Sequence, residues 1–181
     1  MILVSGLYIK RKLFFLITGI CAAAFLVWGI PVLRILPIGI YMLLKHMPAT
    51  LSVPVEGVRP NQITDSWNSL RSGGRRHQGV DIFAPRNRNI RTPLAGVIGF
   101  LGQNSLGGNV VWLIGPRGYY HYFAHLEKFG DVRIGQWVQA GHIMGTVGDS
   151  GNAKGTPTHL HYGIYTFFGK AINPFLLFSS P

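Results

Sequence analysis

Hydrophobic residues follow two patterns along the chain. Residues 13–33 form an uncharged apolar run of 21 residues, whereas the chain beyond residue 53 contains short β-rich runs separated by glycines. At about 1.5 Å per residue, a helix of that length reaches roughly 30 Å, which matches the hydrocarbon core of a bilayer. The pattern therefore predicts one N-terminal transmembrane helix followed by a separate domain.

Charges beside the apolar run predict its orientation. Three consecutive basic residues, 10–12, precede the run with no acidic residue nearby, which favours a cytoplasmic amino end. The apolar run 35–44 is too short to span a membrane alone, so it extends the anchor or lies in the interface. We expect a cytoplasmic N-terminus over 1–12, a single-pass anchor with its extension over 13–44, and a domain on the periplasmic or outer side of the cytoplasmic membrane.

Two other interpretations of the apolar run stay open at this point. A cleavable signal peptide would end at the small residues 22–24, although 25–33 continue the apolar run where a soluble start is expected. The second interpretation is a buried core helix, but a helix that is apolar on all sides is unusual in so small a protein. Both are less consistent with the pattern than an anchor.

The remaining chain predicts an all-β domain. Residues 45–64 contain several prolines and a glycine and predict a linker, which leaves 65–181 for the domain. Short strands with glycine-rich turns favour an antiparallel, sandwich-like sheet fold. The run 135–148, with its regularly spaced glycines, predicts a strand hairpin. The expected strands are Val80–Phe83, Leu94–Leu101, Asn109–Ile114, Tyr119–Leu126, Trp137–Val147 and His159–Phe167.

Composition narrows the possible partners and metals. Seventeen Lys and Arg against six Asp and Glu give a formal charge of +11, which favours anionic partners. No block of basic residues or ladder of aromatic and basic residues marks a nucleic-acid groove, so nucleic acid is not expected as a partner. The single cysteine, Cys21, excludes an intrachain disulfide and a thiol-rich metal site. Any metal must therefore be bound by histidine and carboxylate.

Two pairs of residues have the chemistry of metal ligands. His77 and Asp81 are four residues apart, while His159 and His161 are two apart, which places both imidazoles on one face of a strand. Zinc takes such nitrogen and oxygen ligands, and catalytic zinc sites use three from the protein. The two pairs, with His125 in a strand-like Ala-His-Leu context, predict a zinc site. Spacing does not choose between His159 and His161.

Three motifs resemble those of the lysostaphin-type (M23) metallopeptidases. Their order and spacing also fit, and the similarity covers about residues 65–176. The motifs are Arg-Arg-His-Gln-Gly-Val-Asp-Ile-Phe-Ala-Pro at 75–85, Tyr-Phe-Ala-His-Leu at 122–126 and Gly-Thr-Pro-Thr-His-Leu-His at 155–161.

The resemblance implies specific roles and an active-site groove in a β domain. It implies one zinc ion bound by three ligands: His77, Asp81 and His161. It also implies that His125 and His159 act on water and on the transition state, without deciding which is the base. Zinc activates water for attack on a carbonyl, and an imidazole with a pKa near neutrality transfers the proton.

Four further residues are candidate substrate contacts. Some relatives have a tyrosine upstream of the His-x-x-x-Asp motif that assists the oxyanion, whereas this chain has arginines there. Arg71 or Arg75 would take its place or orient a substrate carboxylate. His121 is four residues before His125 and shares its strand face if alternation holds. Asn109 is a possible hydrogen-bonding partner of the substrate.

Together these features predict a zinc-dependent endopeptidase that hydrolyses peptide cross-links or stem peptides of peptidoglycan outside the cytoplasmic membrane. One alternative is an inert wall-binding or amidase-activating module, although such relatives typically lose ligands and all five polar site positions are filled here. Another is a zinc protease that acts on an extracellular protein. Neither the bond cleaved nor a regulatory partner follows from the sequence.

Overall fold

The structure, a computed structural model, describes residues 2–29 and 39–178. The chain divides into two compact units, Met1–Tyr41 and Met42–Pro181. The first unit contains the helix α1, Ile2–Gly29.

The predicted membrane anchor is only partly covered by the described residues. None of the helices in residues 2–29 and 39–178 is long and apolar enough to cross a membrane. The rest of the predicted span, 30–33, and residues 34–38 of its extension lie outside the described chain, and residues 39–44 are helical. The transmembrane helix therefore stays a prediction.

The described residues of the second unit contain nine strands: β1 Val80–Phe83, β2 Asn89–Arg91, β3 Gly96–Asn104, β4 Gly108–Ile114, β5 Tyr120–Phe129, β6 Trp137–Val138, β7 Ile143–Val147, β8 His159–Tyr165 and β9 Ala171–Ile172. Every pairing between these strands is antiparallel. The order along the sheet is β1-β8-β5-β4-β3-β6, with β2 on β7, β7 on β5 and β9 on β8. The predicted antiparallel all-β domain is confirmed.

The core lies under the central strands. In β8 the alternate residues Leu160, Tyr162 and Ile164 are fully buried, because successive side chains of a strand point to opposite faces. Burial of each large apolar side chain contributes roughly 1.5–3 kcal/mol. The opposite face of the same strand carries His159 and His161, which line a cleft. Core and cleft therefore lie on opposite faces of one strand.

The segment that was predicted to be a linker is in part packed into the domain. Leu51, Val55 and Ile63 are only 2%, 1% and 8% exposed and belong to the core. The backbone N–H of Leu51 donates to the carbonyl of Leu177 at 2.6 Å. The domain therefore begins before residue 65, and the prediction of a linker over 45–64 is corrected. Proline and glycine exclude a helix there, but they do not prevent the chain from packing.

The run 135–148 does not form the predicted hairpin. Its two strands are separated by a turn that includes Gly141, whose φ is 84°. β6 pairs with β3, whereas β7 pairs with β2 and β5. The glycine rhythm correctly marks the turn. The partners of the two strands are distant in sequence, however, so a local pattern does not reveal them.

His121 is buried in the core and not at the cleft. Its side chain is 0% exposed, and its Nδ1 lies 2.7 Å from the hydroxyl of Tyr162. Burial lowers the pKa of His121 to about 3. The prediction that His121 contacts substrate is therefore wrong.

Burial of His121 predicts a pH-dependent stability. The unfolded chain protonates this histidine near pH 6.5, whereas the folded protein leaves it neutral down to about pH 3. The free energy of unfolding should therefore fall as the pH drops below 6.5, by about 2 kcal/mol near pH 5 from this residue alone. Urea unfolding near pH 7 and near pH 5 would measure the change.

The matched variant is His121→Asn, which keeps a hydrogen-bond acceptor for Tyr162 but does not titrate. It should show a smaller loss of stability between the two pH values than the wild type. The same loss in both proteins would contradict the role assigned to His121.

Candidate active site

Three neighbouring strands, β1, β8 and β5, position the candidate metal ligands. Asp81 of β1 pairs directly with His161 of β8, and His161 in turn pairs with Ala124 of β5. His77 lies three residues before β1. Antiparallel pairing therefore brings together residues that are about 80 positions apart in the sequence.

Three ligand atoms converge in this arrangement. Nε2 of His77 lies 2.9 Å from Nδ1 of His161, and each of these nitrogens lies 3.1 Å from Oδ1 of Asp81. Tetrahedral zinc ligands at about 2.0–2.1 Å from the metal lie about 3.3 Å from one another. The near-equilateral triangle therefore fits three ligands of one zinc ion. We call these three residues the ligand triad.

Ser66 selects the tautomer of His77 that suits a metal ligand. Nδ1 of His77 lies 2.7 Å from the carbonyl oxygen of Ser66, and a carbonyl only accepts hydrogen bonds. Nδ1 therefore carries the proton, and the lone pair of Nε2 faces the other two ligands. The hydroxyl of Ser66 also accepts a hydrogen bond from the backbone N–H of Asp81 at 3.1 Å. Such outer partners orient metal ligands, and the sequence motifs gave no indication of this one.

Arg71 forms an ion pair with the second carboxylate oxygen of Asp81 and is therefore not free in the cleft. Its guanidinium donates to Oδ2 of this carboxylate. Burial alone would raise the pKa of Asp81, but the neighbouring imidazoles of His161 and His77 and the guanidinium of Arg71 outweigh burial and hold the pKa well below its usual range. The expected role of Arg71 as a substrate contact is corrected, since this arginine orients a candidate metal ligand.

Gly79 allows the close approach of His161. A Cβ at position 79 would lie 2.6 Å from both Cε1 of His161 and the backbone oxygen of Tyr162. Contacts this short do not occur between real side chains, and one of the two atoms belongs to the backbone. Glycine at position 79 is therefore required by the packing of the site.

Two further imidazoles lie beside the ligand triad. The rings of His125 and His159 are 5.0 Å apart, and that of His125 is 5.9 Å from the ring of His161. Nδ1 of His125 donates to the carbonyl of Ser150, and Nδ1 of His159 donates to that of Pro157, each at 2.8 Å. Both rings therefore carry a lone pair on Nε2. Burial lowers the pKa of His125 to about 4, so this ring is neutral at pH 7.

The backbone at His125 explains why His121 does not share its face. On β5, Tyr122 and Ala124 line the cleft while His121 and Phe123 are buried. His125 has a φ of 64° and also lines the cleft, so two consecutive residues face the same side. The pairing of β5 with β4 shifts register between Phe123 and Leu126, where β5 has one extra residue, as in a β-bulge. The alternation of buried and cleft-facing side chains therefore does not hold between His121 and His125.

The cleft that contains these groups has a volume of about 1380 Å³. Its walls include aromatic side chains that the sequence did not single out as functional. Burial and the neighbouring Tyr122 raise the pKa of Tyr165 to about 12, so its hydroxyl stays protonated and donates to the carbonyl of Gln78. The aromatic residues along the cleft are Trp112, Tyr120, Tyr122, Tyr165, Phe83 and Phe167.

Comparison with known proteins identifies the family. The model of peptidase family M23 matches residues 75–174, which is more than half of the chain. The chain belongs to this family. The matched region contains the ligand triad together with His125 and His159.

Individual relatives support the assignment to M23. The chain is 42% identical over 116 residues to the L-Ala–D-Glu endopeptidase of Bacillus subtilis strain 168, covering 58% of this chain and 35% of that protein. It is 33% identical over 86 residues to the peptidoglycan DD-endopeptidase ShyC of Vibrio cholerae serotype O1, covering 48% and 19%. The chain thus spans about a third or less of the length of these relatives.

This chain covers one solved catalytic domain almost completely. The catalytic domain of the antimicrobial peptidase lysostaphin from Staphylococcus simulans superposes with a TM-score of 0.56 at 29% identity. The match covers 65% of this chain and 94% of that domain. The β domain therefore spans nearly the whole of that catalytic domain.

Asn109 supports the backbone around His125 in this M23 domain. Its side-chain amide donates to the carbonyls of Leu126 and Glu127 at 2.9 and 3.3 Å, and its amide oxygen accepts from Gln103. Its backbone N–H donates to the hydroxyl of Ser150 at 2.9 Å. Asn109 does not line the cleft, so the expected substrate contact is corrected to a structural role.

Arg86 joins the two segments that hold His125. Its guanidinium forms one ion pair with Glu127 and a second with Asp149 at 2.8 Å. Glu127 follows His125 by two residues, and Asp149 precedes Ser150, whose carbonyl accepts from the His125 ring. Arg86 therefore links the strand that carries the imidazole to the loop that orients it.

Loss of this link should reduce turnover without removing the metal site. We expect Arg86→Gln to lower the peptidase kcat by about 10- to 100-fold, because displacement of a catalytic group by about 1 Å has effects of this size. Arg88→Gln removes an arginine two positions away and is the matched control. Steady-state kinetics with zinc analysis would measure both effects, and equal kcat values in the two variants would contradict the role of Arg86.

Proposed function

We propose that this chain is a zinc-dependent endopeptidase that hydrolyses amide bonds in the peptide part of peptidoglycan, in cross-links or stem peptides. The observation that carries the proposal is the convergence of the ligand triad with two further imidazoles, those of His125 and His159, in one cleft. An inert wall-binding module needs neither group. The filled site therefore favours catalysis over the alternative of simple binding.

The donor set of the triad suits zinc. Two imidazole nitrogens and one carboxylate oxygen are a ligand combination found in catalytic zinc sites, where a fourth position is left for water or substrate. Bound zinc supplies Lewis-acid chemistry, namely polarisation of the scissile carbonyl and a lowered pKa of water. His77, Asp81 and His161 would hold the single ion.

The two remaining imidazoles supply proton transfer and hydrogen bonding. At neutral pH, Nε2 of His125 can accept a proton from water and return it to the leaving amine. The Ser150 carbonyl stabilises the protonated ring, because it accepts the hydrogen bond from Nδ1. His159 has an equivalent arrangement with Pro157. If one imidazole acts as the base, the other can donate a hydrogen bond to the developing oxyanion. This division of roles accounts for the presence of both histidines.

The substrate class is supported by the names of two relatives and by charge. An L-Ala–D-Glu endopeptidase and a peptidoglycan DD-endopeptidase are both named for peptide bonds of this kind. The chain itself carries a formal charge of +11, which favours an anionic polymer as partner. Both observations agree with a cell-wall substrate.

We further propose that the domain works at the outer side of the cytoplasmic membrane, held there by its N-terminal segment. The support is in the sequence: an uncharged run over 13–33 and a basic cluster at 10–12. A tether of this kind would keep the cleft close to newly accessible wall material.

Digestion of purified sacculi tests the proposed function. The detergent-solubilised full chain should release soluble muropeptides, which mass spectrometry would identify. Chelator should abolish the release, and added zinc should restore it. His125→Ala is the matched control, because it should keep its zinc but lose most of its turnover.

Other outcomes would support the alternatives. If a folded, zinc-loaded chain releases no fragments but binds sacculi, the inert module is favoured. If it cleaves an extracellular protein and leaves sacculi intact, the chain is a protease with a different target.

A further inference from the structure

Residues 68–77 form a small hairpin at one wall of the cleft, which we call the arginine hairpin. Its arms are joined by backbone hydrogen bonds of 2.9 Å from Asn68 to His77, from His77 to Ser69 and from Arg71 to Arg75. Gly73 and Gly74 make its turn, and both have a φ of 73°, which favours glycine. The hairpin ends on His77, so its arginines are positioned relative to the ligand triad.

The three arginines of the hairpin are not equivalent. Arg71 forms an ion pair with Asp81, so its charge is compensated. Arg75 and Arg76 are exposed, and each is anchored by one hydrogen bond to a backbone carbonyl, that of Ser72 and that of Asn68, both at 3.2 Å. Neither forms an ion pair with a carboxylate in the described part of the chain. Two oriented guanidinium groups thus keep free donors.

Charge is distributed unevenly over the walls of the cleft. Among the described residues that line it, Asp81 is the one carboxylate, and Arg71 already neutralises it. Arg75 and Arg76 therefore leave a net positive charge on the wall beside the ligand triad. Another part of the cleft wall is lined by neutral residues, namely Leu106, Asn152 and Thr156. A substrate with an anionic group on one side matches this distribution.

We propose that Arg75 and Arg76 bind a carboxylate of the substrate close to the scissile amide, so that the enzyme selects acidic peptides over neutral ones. This inference rests on the proposed function. Arg76 and Arg75 are one and two residues before His77, and two residues of extended chain span at most about 7 Å. An extended peptide advances about 3.3–3.6 Å per residue, so the carboxylate lies on a residue near the bond cleaved.

Guanidinium groups suit this task for a physical reason. Their planar donors bind both oxygens of a carboxylate, and a charge-assisted hydrogen bond is stronger than a neutral one. The anchors at Ser72 and Asn68 hold each side chain in place before substrate arrives. Preorganisation of this kind reduces the entropy lost on binding. Arg75 and Arg76 are therefore specificity-determining residues, whereas Arg71 orients Asp81.

The experiment compares soluble peptidoglycan fragments before and after their carboxylates are converted to amides with carbodiimide and ammonia. The wild-type full chain should cleave the amidated fragments with a kcat/KM about 10- to 100-fold lower, mainly through a higher KM. The double variant Arg75→Gln/Arg76→Gln should show the same low kcat/KM on both substrates. Its zinc content should equal that of the wild type.

A matched control removes two arginines outside the cleft, in the double variant Arg117→Gln/Arg133→Gln. It should retain the full preference for unamidated fragments. Equal kcat/KM of the wild type on both substrates would overturn the inference and leave the proposed function intact. A wild type that cleaves neither substrate would overturn the proposed function, and this inference with it.

Discussion

The buried carboxylate of Asp81 is the group on which the site depends. At 7% exposure a charged carboxylate is costly unless both of its oxygens have partners. One oxygen lies 3.1 Å from His77 and from His161, and the other is paired with Arg71. The pairing of β1 with β8 provides the contact with His161, and the arginine hairpin provides those with His77 and Arg71. The fold and the chemistry of this M23 domain therefore depend on the same few contacts.

A second constraint acts at His125, where the chain adopts a conformation unusual for a non-glycine residue. A positive φ of this kind costs about 1–3 kcal/mol, and surrounding contacts must hold it in place. Asn109 binds the carbonyls that follow His125, Ser150 accepts from its ring, and Arg86 connects the two segments. The position of this imidazole is thus set by groups distant in sequence, which explains why its function depends on residues outside the recognisable motifs.

Part of the site follows from sequence and part does not. The pair His159 and His161 lies on one strand face, as the two-residue spacing predicts, because β8 has no bulge between them. The same rule fails for His121, since the bulge around His125 has no signal in a run of β-forming residues. The packing of residues 51–63 depends on residues distant in sequence, and the pairing of Arg71 with Asp81 depends on the turn of the arginine hairpin. Local spacing therefore predicts candidate ligands, but not the groups that orient them.

Zinc analysis of single variants is the most direct test of the central claim that His77, Asp81 and His161 hold one catalytic ion. Purified proteins would be equilibrated with zinc, freed of loose metal and analysed for metal content, with circular dichroism to check folding. We predict one zinc per chain in the wild type and in His125→Ala, and a large loss of zinc in His77→Ala, Asp81→Ala and His161→Ala. Full zinc loading of all three ligand variants would contradict it.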